Sequence, residues 1–490
     1  MHYIDKFLNK ITMYRLVLYS LFALAAIALV LSFVGILSFG PIPLVLSFCI
    51  LIAACWVSNS LIARIFNITV NVESAYITAL ILFFIVAPVE NIQEMLILAL
   101  VGVIAMASKY MLAIRKKHIF NPAAISLVIM GLLGSGIAFW WVATPWLFPF
   151  TVIIGLLIVR KIRRFDLFLS FLAFALVIGG VYAVIQDENI GEKFMQMFLS
   201  WPLVFLGTVM LTEPLTMSSS RKTRIIYGAI VGGLFSAQFH IGPLFASPEL
   251  ALVIGNVFAY IVSSKQKLLL KFTGKRQLSE NVYEFIFKPN QKLAFTSGQY
   301  LEWTVRSDRT DSRGNRRFFT VASAPGDDDI RLGVRISKDS STFKQRLMTL
   351  VEGETAVASS LSGDFMMPRN KEKPLIFIAG GIGITPFISM IRHMLKSGEK
   401  RNIKMLYAAN SVNDFAYKDL LEEAKIKIGV ETRYIAAEKI TEEMIKDAIG
   451  NDKPTFYISG PDVMVRAYKK LLRNIGIIRT NIRTDYFPGF

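Results

Sequence analysis

The chain is short of the residues that build inorganic redox centres, with two cysteines and four histidines among 490 residues. Cys49 and Cys55 lie in one apolar run, so they can supply neither the four thiolates of an iron–sulfur cluster nor a disulfide framework. A transmembrane haem needs paired histidines on facing helices. His118 and His240 fall on opposite expected sides of the membrane, and the others are His2 and His393, so a haem is excluded. Charge is scarce too. Only 18% of residues are charged and mean hydropathy is +0.49, too apolar for an ordinary soluble enzyme. Any redox chemistry must use organic cofactors, and no metal site is expected.

What is abundant is apolar sequence, crowded into the first half. Windows near residues 14–37, 42–63, 74–88, 92–108, 122–142, 144–159, 165–185, 197–212, 225–241 and 248–264 have lengths that suit a hydrocarbon core. They predict about ten transmembrane helices over a domain spanning 1–264. The first run, from about Leu16 to Leu37, is too long for a signal-peptide core and lacks a cleavage site. Alternate connections carry bases, among them Lys6, Lys10 and Arg15, Lys109 with Lys116 and Lys117, and Arg221 with Arg224. The intervening ones carry Glu90, Asp187 and Glu249, with Lys193 the one base. The positive-inside rule makes the first set cytoplasmic and returns the chain to the cytoplasm at Lys265 and Lys267. This asymmetry accounts for much of the net charge of +18, so a lipid bilayer is the expected partner and a nucleic acid is not. Trp140, Trp141 and Trp146 read as an interfacial aromatic belt at an outer turn. Glu213, Glu249, His240 and Asp166 lie near expected helix ends, where water can serve them, so ion pumping is not expected.

Two polar interruptions stand out on the cytoplasmic side. One runs Lys117-His118-Ile119-Phe120-Asn121-Pro122-Ala123-Ala124 and the other Met210-Leu211-Thr212-Glu213-Pro214-Leu215-Thr216. A proline opening a helix leaves terminal N–H groups available to an anionic or polar ligand. Capped cytoplasmic turns would read the same way. The pair, in this order, resembles the family of membrane proteins shared by the Rnf electron-transport complex and the sodium-pumping NADH:quinone reductase, over roughly residues 10–264. That resemblance implies ten helices and a flavin in the membrane domain, near His118, Asn121, Thr212 and Thr216. Many members attach FMN to threonine in Ser-Gly-Ala-Thr. The tetrapeptide does not occur here, which leaves a non-covalent FMN or riboflavin, or a quinone.

From Leu268 the pattern changes to short alternating runs such as Asn281–Phe287 and Tyr300–Val305, which predict strands of an antiparallel β-barrel over 265–370. One strand carries Arg317, Phe318, Phe319 and Thr320. Arg317 can pair with a pyrophosphate, Phe319 can lie against an isoalloxazine ring, and the Thr320 hydroxyl can reach the ring's N5 edge. Ser341 and Thr342 enter a short helix downstream. Residues 371–490 alternate strand and helix, as a Rossmann-like NAD(P)-binding α/β domain would. Its first strand turns through Gly380, Gly381, Gly383 and Thr385, where glycine lets the backbone approach a diphosphate.

Together these motifs resemble the ferredoxin-NADP reductase-like flavoproteins over about residues 266–490. The resemblance implies FAD on Arg317, Phe318, Phe319, Thr320, Ser341 and Thr342. It also implies a nicotinamide dinucleotide on Gly380, Gly381, Gly383, Thr385, Gly460 and Pro461. Catalytic roles would fall to Thr320, Ser459, Asp485 and Phe487. Ser459 stands where most members have cysteine, and Phe490 could replace Phe487 as the aromatic lid. Asn410-Ser411-Val412-Asn413-Asp414 offers an acid and no arginine for a 2′-phosphate, so NADH is expected over NADPH. The expected function is a membrane-bound oxidoreductase passing electrons from NADH through FAD to a flavin or quinone among the helices. The alternative is a reductase for a soluble acceptor, with the helices as anchor or solute-transport module.

Overall fold

The computed structural model describes residues 8, 11–66, 72–114, 117–218, 220–242, 244–262, 268–306, 311, 315–337 and 340–487. His2, Lys6, Lys10, Lys116, Lys265, Lys267 and Phe490 lie outside them. The chain forms two compact units, Met1–Lys265 and Gln266–Phe490.

The first unit is helical. Its helices run Met13–Phe33, Pro41–Ile65, Val72–Ile85, Ile92–Met111, Pro122–Leu132, Phe148–Ile162, Phe165–Ile185, Ile190–Leu199, Arg221–Ser236 and Pro248–Val262, with a short helix Leu203–Phe205 continuing into a π-helical turn Leu206–Met210. Starts are set by polar caps. Thr12, Asn91, Asn121, Asn189 and Ser220 each accept N–H bonds from the first turn, as an N-cap side chain does. Among the described residues, four helices are long and apolar enough to cross a membrane: Met13–Phe33, Pro41–Ile65, Ile92–Met111 and Phe165–Ile185. Ile190–Leu199 and Leu203–Met210 would make a fifth, bent by 61°.

Helix length alone thus accounts for four or five of the ten expected spans among the described residues. Two windows show why. In 122–142 the helix stops at Leu132, just after Gly131 and before Gly134 and Gly136, with Gly134 at φ +82°. In 197–212 the sequence Ser200-Trp201-Pro202 breaks the run, because proline cannot donate to the preceding turn. The aromatic belt is also corrected. Trp140 and Trp141 are buried, bonding through their indole N–H groups to Glu249 Oε2 (3.1 Å) and Phe83 O (2.6 Å), and only Trp146 is exposed. Asp166, assigned to a helix end, pairs with the buried Arg224 at 2.9 Å, and Lys193 pairs with the exposed Glu188 at 2.9 Å.

Helices Phe165–Ile185 and Arg221–Ser236 pack closely because glycines line the contact. A Cβ at Gly228 would lie 2.7 Å from Leu167 O, and one at Gly232 would lie 2.2 Å from Phe171 O. Small residues let two backbones approach where dispersion is the main attraction.

The second unit contains two sheets. Strands β1 (Leu268–Ser279), β2 (Val282–Pro289), β3 (Tyr300–Val305), β4 (Arg316–Thr320), β5 (Ile330–Arg335) and β6 (Thr355–Ser362) form a curled antiparallel sheet in the order β4-β3-β6-β1-β2-β5. Alternate residues, among them Phe285, Phe287, Trp303 and Leu332, fill its interior. The edge strands β4 and β5 meet across the loop that joins them, where Ala322 N–H donates to Arg331 O (2.9 Å).

Strands β7 (Leu375–Gly380), β8 (Ile403–Ala409), β9 (Glu431–Ala436), β10 (Thr455–Pro461) and β11 (Ile482–Phe487) form a parallel sheet in the order β9-β8-β7-β10-β11. Every residue of β7 is buried, because both faces of the sheet are covered. Phe377 packs with helices Thr385–Ser397 and Lys418–Ile428, whereas Ile378 packs with Glu442–Ile449 and Asp462–Asn474. The strand order reverses between β7 and β10, and the crevice at the C-terminal ends of such strands is where open α/β sheets bind ligands.

The glycine contact in the helical unit gives a test. Gly232→Ala should lower the thermal unfolding midpoint of the detergent-solubilised protein, since overpacking a close contact costs about 1–3 kcal/mol. An unshifted midpoint would show that these helices can separate without loss.

Candidate functional site

Strand β4 supplies the first part of the site. Arg317 is buried, donates from Nη1 to Arg316 O (2.6 Å), and lies with its guanidinium 5.6 Å from the centre of the Phe343 ring. Asp311 stands between Arg317 and the helix Thr342–Met348. Its Oδ1 is 3.8 Å from Arg317 Nη2, and its Oδ2 accepts from Thr342 N–H at 3.1 Å. That carboxylate stands in for an anion held by a guanidinium and a helix-terminal amide, the donor set a phosphate uses. Ser341 caps the same helix by accepting from Lys344 N–H. Phe319 sits against Phe343, ring centres 5.7 Å apart, while Phe318 is 49% exposed and meets the Tyr300 ring edge-on at 5.7 Å.

Thr320 is aligned with Tyr300 of β3 and is 3% exposed, yet its hydroxyl has no hydrogen-bond partner among the described residues. A buried hydroxyl without a partner is costly, and an acceptor on a flavin edge would relieve it. Together with Arg317 and Thr342, the set fits a flavin dinucleotide.

The glycine turn supplies the second part. Gly381–Ile384 forms a single 3₁₀ turn between β7 and helix Thr385–Ser397, and Thr385 Oγ1 donates back to Ile382 O at 3.2 Å. Gly381 has φ +54°. A Cβ at Gly383 would lie 2.5 Å from both Gly460 Cα and Ser459 O, so this position admits glycine alone. The close approach brings Gly380 and Gly383 against Ser459, Gly460 and Pro461, with Gly381 beside them in the turn. Strand β11 then aligns Asp485 with Ser459 and Phe487 with Pro461. Ser459 is fully buried and its hydroxyl also lacks a partner among the described residues. Phe490, the alternative lid, lies outside the described residues.

Several contributors are not visible as motifs. Arg335 Nη1 lies 3.9 Å from where a Cβ on Gly381 would be, and its guanidinium pairs with Asp414 at 3.6 Å. Asp414, expected to select the dinucleotide ribose, thus faces an arginine of β5. A cleft of about 350 Å³ opens at the ends of β8 and β9, lined by Val412, Phe415, Lys418, Glu422, Tyr434 and Ala436. Burial pushes the Tyr434 phenol up to about 12, so it stays neutral at physiological pH.

In the helical unit the two interruptions do meet, but on one another. Glu213 Oε2 accepts from Asn121 Nδ2 (2.9 Å) and from the Thr216 hydroxyl (3.3 Å), and Oε1 is 3.4 Å from His118 Nε2. Asn121 Oδ1 caps Ala123 and Ala124 N–H (3.1 Å each), which occupies amides that had been expected to face a ligand. Asn121 N–H donates to Asn256, which donates in turn to Tyr227. Thr212 turns away and donates to Thr208 O (2.7 Å). Pro214 opens no helix, since the next begins at Arg221.

Residues 377–470 match the family model of an oxidoreductase NAD-binding domain. The chain is 26% identical over 231 residues to a flavohemoprotein of Bacillus subtilis, covering 44% of this chain and 57% of that protein. It therefore spans somewhat over half the length of the curated relatives it matches. Among solved structures, it is similar to the flavohem-like FAD/NAD binding domain of a nitric oxide dioxygenase from Vibrio cholerae (TM-score 0.40, 19% identity, 45% of this chain and 98% of that one). It is also similar to a ferredoxin-NADP+ reductase from Plasmodium falciparum (TM-score 0.39, 18% identity, 46% and 98%). Residues 377–470 are an oxidoreductase NAD-binding domain, and FAD is the flavin that the residues of β4 fit.

Gly383→Ala tests the approach of the two turns. The added methyl meets backbone on both sides, so dinucleotide affinity should fall by roughly fivefold to a hundredfold, from about 1–3 kcal/mol of overpacking, in a titration with NAD+. Unchanged affinity would mean that the turn can move away from β10 freely.

Proposed function

We propose that the chain is a multi-pass membrane flavoenzyme that oxidises NADH in its second unit and passes electrons to an acceptor held by its helices. Both the N-terminus and the reductase unit lie on the cytoplasmic side in this reading, with the FAD barrel over 265–370 and the dinucleotide domain over 371–490. The observation that carries it is the pair of buried hydroxyls, Thr320 on the flavin strand and Ser459 beside the glycine turn, which lack partners among the described residues. FAD supplies the step from two-electron to one-electron chemistry. The chain's own residues bind and orient. Arg317 and Thr342 hold the pyrophosphate, Asp311 giving way, while Thr320 offers its hydroxyl to the flavin edge. The turn Gly380–Gly383 with Thr385 and Arg335 holds the dinucleotide phosphates, and Ser459 and Asp485 line the approach of the nicotinamide. NADH is preferred because Asn410–Asp414 brings no base of its own to a 2′-phosphate.

The helical unit supports the second half through resemblance to the membrane proteins of the Rnf complex and the sodium-pumping reductase, and through the cluster around Glu213. A quinone, or FMN or riboflavin bound without a covalent link, is the acceptor in this reading. One observation favours the alternative of an anchored reductase with a soluble acceptor: His118, Asn121, Thr212 and Thr216 already have partners within the helices.

Two measurements separate these outcomes. Arg317→Ala should lose FAD, because a charge-assisted contact is worth about 1.5–3 kcal/mol, or one to two orders of magnitude in affinity; full FAD occupancy in the variant would sink the flavin assignment. Denaturing the purified full chain should release a second flavin or a quinone beside FAD. Release of FAD alone would leave the helices as an anchor or transport module.

A further inference from the structure

The charge cluster centred on Glu284 has no part in the reading above. Glu284 lies on β2, aligned with Gly333 of β5, and is 1% exposed. Arg331 Nη1 reaches its Oε2 at 3.3 Å, and Arg392 Nη1 reaches its Oε1 at 2.9 Å. Arg392 belongs to helix Thr385–Ser397, which begins at the glycine turn. From there it also donates to Ala322 O (2.8 Å), two residues beyond Thr320, and its guanidinium lies 5.5 Å from the centre of the Tyr417 ring. Ser389 Oγ donates to Ser323 O (2.7 Å) and Lys396 Nζ to Gly326 O (2.8 Å) further along the helix. Gly333 leaves room for the Tyr417 hydroxyl and for Thr385, which a Cβ there would meet at 2.6 and 2.7 Å. The helix that carries the dinucleotide turn is thus tied along its length to the loop leaving the flavin strand, and the buried anion in that seam is Glu284.

A buried carboxylate held by two guanidinium groups adds little net stability over an apolar packing of equal volume, because desolvation offsets the attraction. What it adds is placement, since a buried ion pair that cannot be resolvated holds its partners at a fixed separation. We infer that Glu284 is a positioning residue for hydride transfer: through Arg392 it sets where the dinucleotide turn stands relative to Thr320. This rests on the NADH-to-FAD reading of the second unit.

The test uses the full-length, FAD-loaded chain. Glu284→Gln keeps volume and removes charge. Its pre-steady-state rate of flavin reduction by NADH should fall roughly tenfold to a hundredfold, as misplacement by about an ångström does. FAD content and NAD+ affinity should hold, and the long-wavelength charge-transfer absorbance of reduced flavin with NAD+ should weaken. Arg392→Lys, which cannot serve Glu284 and Ala322 O in the same geometry, should behave alike and covers the case that Glu284→Gln does not fold. An unchanged rate and absorbance in both variants would overturn the inference. So would a rate that falls only in step with lost FAD or lost dinucleotide affinity, since the cluster would then be scaffold. A wild-type chain whose flavin NADH does not reduce overturns the parent reading instead, and is recognised before any variant is made.

Discussion

The contact on which the second unit depends is the approach of Gly383 to the backbone of Ser459 and Gly460, close enough that no side chain fits between them. Two loops from different strands become one surface there. The contact places the end of β7 beside the end of β10 at the point where the strand order reverses, which opens the crevice that a parallel sheet offers to a ligand. It also carries Asp485 into the same neighbourhood through the pairing of β11 with β10. Methyl groups at these positions would force the strands apart and leave a sheet without a site.

The flavin side is built on a different principle. Strand β4 is an edge strand, and its polar residues are arranged by register rather than by close backbone contact. Arg317 is held in place before any cofactor arrives, by Arg316 O, by Asp311 and by the Phe343 ring. Preorganisation of this kind reduces the ordering that binding requires. The Asp311 carboxylate keeps the buried guanidinium paired in the meantime, which avoids an unmatched charge in the barrel.

How much of this was legible in the sequence depends on the range of the interactions. The glycine turn and the Arg317–Thr320 strand are local patterns, and the alternation of β2 and β3 could be read directly. Glu284 could not, because a glutamate between Tyr283 and Phe285 reads as the wet face of an amphipathic strand. Only the pairing with β5 and the arrival of Arg392, more than a hundred residues later, make it a buried anion. The partner of Asp414 was hidden for the same reason: Arg335 lies on another strand. In the helical unit, hydropathy located the helices but not their breaks. Composition marked Trp140 and Trp141 as interfacial residues, although the partners of their indoles, Glu249 and Phe83, draw them inside. The two interruptions were visible as motifs, and their convergence on Glu213 was not.

The order β9-β8-β7-β10-β11 has a consequence for how the protein is made. The flavin barrel is complete in sequence at Ser362, although only β1 with β2 and β3 with β4 pair as neighbours in the chain. The dinucleotide turn is translated soon after, yet its other wall is the end of β10, which belongs between β7 and β11. During synthesis, a chain that has emerged only as far as β9 carries every flavin-side residue and an open edge on β7. Domains fold largely as units in the order they emerge, so the flavin half is finished while this edge is still uncovered. The crevice at the glycine turn is therefore completed late, when β10 closes against Gly383.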